Sequence, residues 1–277
     1  MTIINKEVGG KVVRLENFLM QKLDHLKKRT EKQHDNVIMI DGMEGTGKST
    51  GLAFPVAWYL GERPFEVVFT PEQFEKAFDS SKTGDTIVWD EFVLAGLSTQ
   101  ALSKMQEVVV KKLTTGRKKG LNIILVVPNY FMFRDYFSCH RSLFLLHTYS
   151  PDFLSRGYYA YFDYQGKQIM YHKNKKFKIH NINKFAQHIG FFVRNEDGYF
   201  INEEYYQGKK DEAILQIGKE EKPEKIPRGY VDKKKIRERG LLRGLDYKDI
   251  SFILEEPTNT TKVLSDRHKN DKYLLIC

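Results

Sequence analysis

The sequence predicts an α/β protein whose core is a mostly parallel, five-stranded sheet flanked by helices. Three observations lead there. Short apolar, β-branched runs at residues 37–40, 66–69, 87–89, 122–127 and 142–148 alternate with helix-compatible segments, the pattern of βαβ units. A glycine-rich turn, Gly42-Met43-Glu44-Gly45-Thr46-Gly47-Lys48-Ser49, follows the first run directly. The third run stops abruptly at Asp90-Glu91.

Taken in order, the elements justify themselves locally. Val12, Leu15, Leu19, Leu23 and Leu26 recur at helical spacing among Lys22, Lys27, Lys28 and Arg29. They predict an amphipathic helix over 11–33, within an N-terminal segment 1–35, with its stripe on the core or on a subunit or DNA. The helix after the glycine turn runs from Lys48 to Leu60, with Gly61 as C-cap and a kink at Pro55. Thr70-Pro71-Glu72-Gln73 offers an N-cap, a proline at the first helical position and a capping-box partner for a helix over 71–79. Residues 80–85 form a polar turn, and Ser98 caps a helix over about 99–118.

Past about residue 148 the alternation ends. Residues 158–164 and 168–172 flank Gln165-Gly166-Lys167 and read as a β-hairpin, whose tyrosines suit strand packing or base stacking. Residues 36–206 then form one domain with that hairpin as an extension, and 207–228, rich in Lys, Glu, Gly and Pro, a linker. Residues 229–277 form a basic helical module. Its helices near 232–240, 246–254 and from Thr260 onward suit either a helix-turn-helix or a helical tail.

Composition narrows the function classes. The chain has 277 residues, a net charge of +9 and two cysteines, Cys139 and Cys277, in no CxxC. That favours a reducing cytosol over a disulfide scaffold or cysteine zinc site. No apolar run approaches the roughly 20 residues of a membrane span, and the N-terminus lacks a signal-peptide core. The expected location is cytoplasmic, host cytoplasm for a viral protein. The eight histidines show no metal-ligand spacing, and no Gly-x-Ser-x-Gly or HExxH occurs. Residues 222–248 hold ten Lys/Arg against four Asp/Glu, a local basic stretch of the kind that contacts nucleic acid.

The chemistry starts at the glycine turn, which fits G-x-x-x-x-G-K-[ST] and is followed by Thr50. Gly42, Gly45 and Gly47 permit conformations that aim successive N–H groups at phosphates. Lys48 reaches the outer phosphates of ATP, Ser49 ligates Mg²⁺, and the helix start adds its positive dipole end. Asp90, ending an apolar strand, suits the same Mg²⁺. Glu91 suits activation of an attacking water, which a kinase does not need.

Here the chain resembles known families. Five strands with the phosphate loop after the first resemble the RecA-like P-loop core. Gly116-Arg117-Lys118-Lys119-Gly120 running into 122–127 and Pro128-Asn129 is similar to the FtsK/HerA superfamily of DNA-pumping ATPases, including viral and phage packaging and zonular-occludens-toxin-like branches. The resemblance spans about residues 36–150. It implies Arg117 as an arginine finger, with Arg134 and Arg141 as rivals, and Asn129 as γ-phosphate sensor, where those families more often have Gln. It also implies a homo-oligomeric ring, DNA as substrate and a phage or mobile-element setting with a capsid or similar partner. The wording Asp41-Gly42-Met43-Glu44 also resembles thymidylate-kinase-like loops, so a nucleotide kinase is the alternative enzyme, and an ATP-switched DNA-binding regulator the alternative mode of action.

Overall fold

The computed structural model describes residues 2–90, 99–115, 119–152, 154–178, 181–193, 200–219, 246, 248 and 249, with backbone alone for 99–105, 115 and 214–219. The chain divides into two units, Met1–Glu220 and Glu221–Cys277. In the second, Asp249 N donates to Asp246 Oδ1 at 2.8 Å, a helix-start contact where the sequence predicts one. The rest of the basic module, including its proposed helix-turn-helix, lies outside the described residues.

The first unit opens differently from expectation. Residues 3–16 form an antiparallel hairpin, β1 (Ile3–Val8) and β2 (Lys11–Glu16), before α1 (Asn17–Glu31) begins. Gly9 and Gly10 have φ of 56° and 76°, the two positive values a tight hairpin turn demands. Val13 and Leu15 are buried while Val12 is exposed. The apolar residues before Asn17 thus follow a period of two, and only Leu19, Leu23 and Leu26 belong to the helix.

The main sheet then assembles from β3 (Asn36–Gly42), β4 (Glu66–Val68), β5 (Thr86–Trp89), β6 (Asn122–Val126), β7 (Phe144–Tyr149), β8 (Tyr158–Phe162) and β9 (His188–Phe191). Its order is β4-β5-β6-β3-β7-β8-β9. The five strands from β4 to β7 are mutually parallel, as predicted, and β8 and β9 extend the sheet antiparallel. Every residue of β3 and β6 is buried, as central strands covered on both faces require. Alternate residues serve two cores. Ile38, Ile40, Val88 and Ile124 face α1, the β1–β2 hairpin and α2 (Phe54–Gly61). Met39, Ile87, Trp89 and Ile123 face α3 (Pro71–Ser80) and α4 (Thr99–Thr115).

Two further expectations are corrected. The predicted second hairpin strand, 168–172, lies inside α5 (Tyr164–Phe177). Asp163 caps that helix by accepting from Gly166 N at 2.7 Å, so Gln165-Gly166-Lys167 is a first helical turn rather than a hairpin turn. The predicted linker from 207 is helical to 219 in α6 (Glu203–Lys219). Among its described side chains, Tyr206 and Ala213 are buried.

Candidate functional site

The glycine turn lies at the carboxyl edge of the sheet, directly after β3. Gly42, Gly45 and Gly47 all take positive φ, 137°, 76° and 92°. Gly42 has no room for anything larger, because a Cβ there would meet Thr148 O at 2.1 Å and Thr148 Oγ1 at 2.4 Å. Met43, Glu44 and Gly45 are exposed, whereas Thr46 is buried. Thr46 Oγ1 donates to Met43 O at 2.7 Å and lies 2.7 Å from Thr148 Oγ1, which also reaches Asp41 O at 3.0 Å. Strand β7 thereby buttresses the loop from below.

Lys48, Ser49 and Thr50 open the following helix, whose first turns, Lys48–Ala53, are π-wound. Pro55 lacks the N–H of a normal turn, and the wider winding sits just ahead of it. The expected distortion is therefore an expansion of the helix. Phe192, after β9, covers this turn. A Cβ on Gly51 would come within 2.7 Å of its ring. Lys48 Nζ donates to Gly42 O at 2.7 Å and Met43 O at 2.8 Å, which curls the cation over the loop.

The strand order brings the second motif to the same place. β6 lies between β3 and β5, so Asp90, immediately after β5, stands at the same edge as the loop. Ser49 Oγ donates to Asp90 Oδ1 at 2.7 Å. Asp90 is fully buried, and its other oxygen, Oδ2, accepts from the Tyr206 hydroxyl. Glu91 lies outside the described residues.

Asn129 follows β6 and is exposed. Its Oδ1 accepts from Phe131 N at 2.9 Å, capping a short 3₁₀ turn, Tyr130–Met132. That bond commits the acceptor end of the amide and leaves Nδ2 as the group able to donate to a ligand oxygen. Beneath it, Asp41 is buried. It accepts from Tyr130 N at 2.9 Å on Oδ2 and pairs with His147 Nδ1 at 2.8 Å through Oδ1. Burial opposes a charge on His147, but the Asp41 carboxylate and hydrogen bond outweigh it and raise its pKa, with Lys48 pulling the other way.

The arginines are elsewhere. Arg141 ends a π turn, Tyr136–Arg141, just before the amino end of β7, the sheet edge opposite the glycine turn. There it lines a cleft of about 580 Å³ with Arg29, Lys32, His34 and His140, and its buried Nε meets no hydrogen-bond partner among the described residues. Arg134 is exposed, its N–H donating to Gln106 Oε1 at 3.0 Å. Arg117 lies outside the described residues.

Of the residues singled out in the sequence, Lys48 lies on the loop, Ser49 meets Asp90, and Asn129 follows β6. His147, Thr148 and Tyr206 carry no local motif, and they and the Asp41 carboxylate join this region through strand order or helix packing. Among the described residues no cluster of three or more His, Cys, Asp or Glu could hold a metal, and no helix is long and apolar enough to cross a membrane.

No family model and no curated protein matches this chain. Among solved structures, AMPPCP-bound DnaA from Aquifex aeolicus is similar at a TM-score of 0.33, with 14% identity over 94% of this chain and 90% of that one. The reading of the site therefore stands on its own geometry.

Proposed function

We propose that this chain binds ATP with Mg²⁺ at the glycine turn and hydrolyses it as a subunit of a DNA-handling motor of the FtsK/HerA kind. The observation that carries the reading is the Ser49–Asp90 contact, a hydroxyl and a carboxylate from two separate motifs held 2.7 Å apart beside Lys48. Two oxygen donors with one negative charge fit a small hard cation that takes its remaining ligands from water and phosphate. When bound, Mg²⁺ would neutralise the triphosphate charge. Ser49 and Asp90 hold it, Lys48 and the loop N–H groups bind the outer phosphates, and Thr50 completes the loop.

Hydrolysis rests on Glu91 as the base that orients and deprotonates water, and on the Asn129 Nδ2 group as donor to the γ-phosphate. Arg117 is the arginine finger of this reading; its rival Arg141 stands at the opposite sheet edge from its own loop, so either would act from a neighbouring subunit. That division of labour supports a homo-oligomeric ring. The net charge of +9 and the basic stretch at 222–248 support DNA as the polyanion moved. A cytoplasmic setting and a mobile-element or capsid partner complete the reading.

The decisive experiment is the ATPase rate with and without duplex and single-stranded DNA, for wild type and Glu91→Gln. The variant is expected to retain ATP binding and lose hydrolysis by about 10²-fold or more. Unchanged hydrolysis sinks the mechanism. Phosphorylation of added nucleosides or nucleotides would replace the motor with a kinase. DNA-stimulated hydrolysis without displacement of a block on duplex DNA would leave a switch.

A further inference from the structure

Tyr206 is separated from Asp90 by 116 residues of chain, yet its hydroxyl donates to Asp90 Oδ2 in the interior. The tyrosine is not loosely placed. Its ring meets Phe54 of α2 edge-on at 5.3 Å and 87°, and Phe69, just after β4, at 5.9 Å. Near the start of α6, Tyr205 N donates to Asn202 Oδ1 and Tyr206 N to Asn202 O, each at 3.0 Å. Lys209, one turn further on, pairs with Glu66 of β4 at 3.3 Å. Packing on two aromatic rings and the Lys209–Glu66 pair hold the start of α6 against α2 and β4 and fix where the hydroxyl points.

We infer that Tyr206 is a positioning residue of the magnesium site and that α6 is part of the ATP-binding apparatus. The inference rests on the ATP–Mg²⁺ reading above and names a residue that reading does not require. A carboxylate at the end of a strand turns readily about its terminal torsion. With Ser49 on Oδ1 and Tyr206 on Oδ2, the plane of the Asp90 carboxylate is set from both sides, and Oδ1 stays aimed at the loop. Metal-ligating carboxylates are commonly held this way, and losing the supporting hydrogen bond lowers metal affinity about 10–100-fold. If Tyr206 served packing alone, the ring would matter and the oxygen would not.

Tyr206→Phe separates the two, because it keeps the ring and deletes the oxygen. Binding of a fluorescent, non-hydrolysable ATP analogue to full-length wild type and variant is titrated first in EDTA and then against rising Mg²⁺, with Mn²⁺ binding followed by electron paramagnetic resonance. The expected result is equal affinity in EDTA and a Mg²⁺ midpoint raised about 10-fold or more in the variant, with a parallel loss of Mn²⁺ affinity. An unchanged Mg²⁺ midpoint overturns the inference, as does an equal loss with and without metal. Should the variant fail to fold, Phe69→Leu keeps the hydroxyl but loosens the ring. It must move the Mg²⁺ midpoint in the same direction, and no movement overturns the inference. Wild type that binds no nucleotide, or binds it without regard to Mg²⁺, removes the ATP–Mg²⁺ reading itself and the inference with it.

Discussion

Ser49 Oγ donates to Asp90 Oδ1 at 2.7 Å, and this bond joins the first helical turn after the glycine loop to the end of β5. The two residues have different expected effects from Lys48. Asp90→Ala should abolish the Mg²⁺ dependence of nucleotide binding while leaving metal-free affinity near wild type. Lys48→Ala removes charged hydrogen bonds to phosphate and should weaken binding about 10–100-fold with or without metal. Fluorescence titration in EDTA and in Mg²⁺ checks both. Equal behaviour of the two variants would contradict the separate roles.

Gly42 and Gly45 both take positive φ but differ in surroundings. Gly42→Ala forces a Cβ to 2.1 Å from Thr148 O, whereas Gly45→Ala meets nothing within 4 Å. The first should destabilise by about 2–4 kcal/mol through clash plus strain, the second by about 1 kcal/mol through strain alone. Chemical denaturation of both variants tests the difference, and equal losses would remove β7 as the buttress.

The Asp41–His147 pair predicts a pH dependence of a definite sign. The pKa of His147 is raised in the fold, so the folded state holds its proton more tightly than the unfolded chain. The pair's contribution is full below the unfolded value, about 6.5, and fades as pH rises through the folded value. Stability curves of wild type and His147→Gln should therefore lie furthest apart at acid pH and converge toward pH 9. Curves that diverge with rising pH would contradict a charged pair.

Lys167 is wholly buried, and its ammonium donates to Ser138 O at 3.0 Å, Cys139 O at 2.7 Å, Ser142 Oγ at 2.8 Å and Ser142 O. It closes the carboxyl end of the π turn that leads into β7. Lys167→Met strips a donor from these acceptors and should destabilise by roughly 2–4 kcal/mol. Burial pushes the Lys167 pKa down to about 7. Between there and the unfolded value near 10.4 the unfolded chain binds the extra proton, so this group makes wild-type stability rise with pH. Unfolding free energies from pH 7 to 10 should show that rise in wild type and lose it in Lys167→Met.

The legible parts of the site and fold share one property, short range. The loop needs glycines and a lysine at fixed spacing, and Asp90 needs only the strand before it, so both could be read locally. The five parallel strands were legible because strands buried on both faces read as unbroken apolar runs. Two misses had local signals that a helical period masked or a glycine outweighed. Gly9-Gly10 between alternating residues marks the hairpin, and Asp163 three residues before Gly166 marks the cap of α5. Tyr206 had no such signal, since the residues around it, Glu203 to Glu212, are mostly polar.

The sequence by itself determined that a phosphate-type loop follows a buried strand and that an acidic strand end accompanies it, because backbone conformation and strand burial depend on neighbours in the chain. Only the tertiary structure decided what those motifs touch. Placing β6 between β3 and β5 brings Ser49 to Asp90 across 41 residues. Strand β7 supplies Thr148 and His147 to the loop, and α6 brings Tyr206 to Asp90 across 116. Such contacts are set by packing between elements far apart in the chain, and side-chain hydroxyls and carboxylates carry no period that announces them.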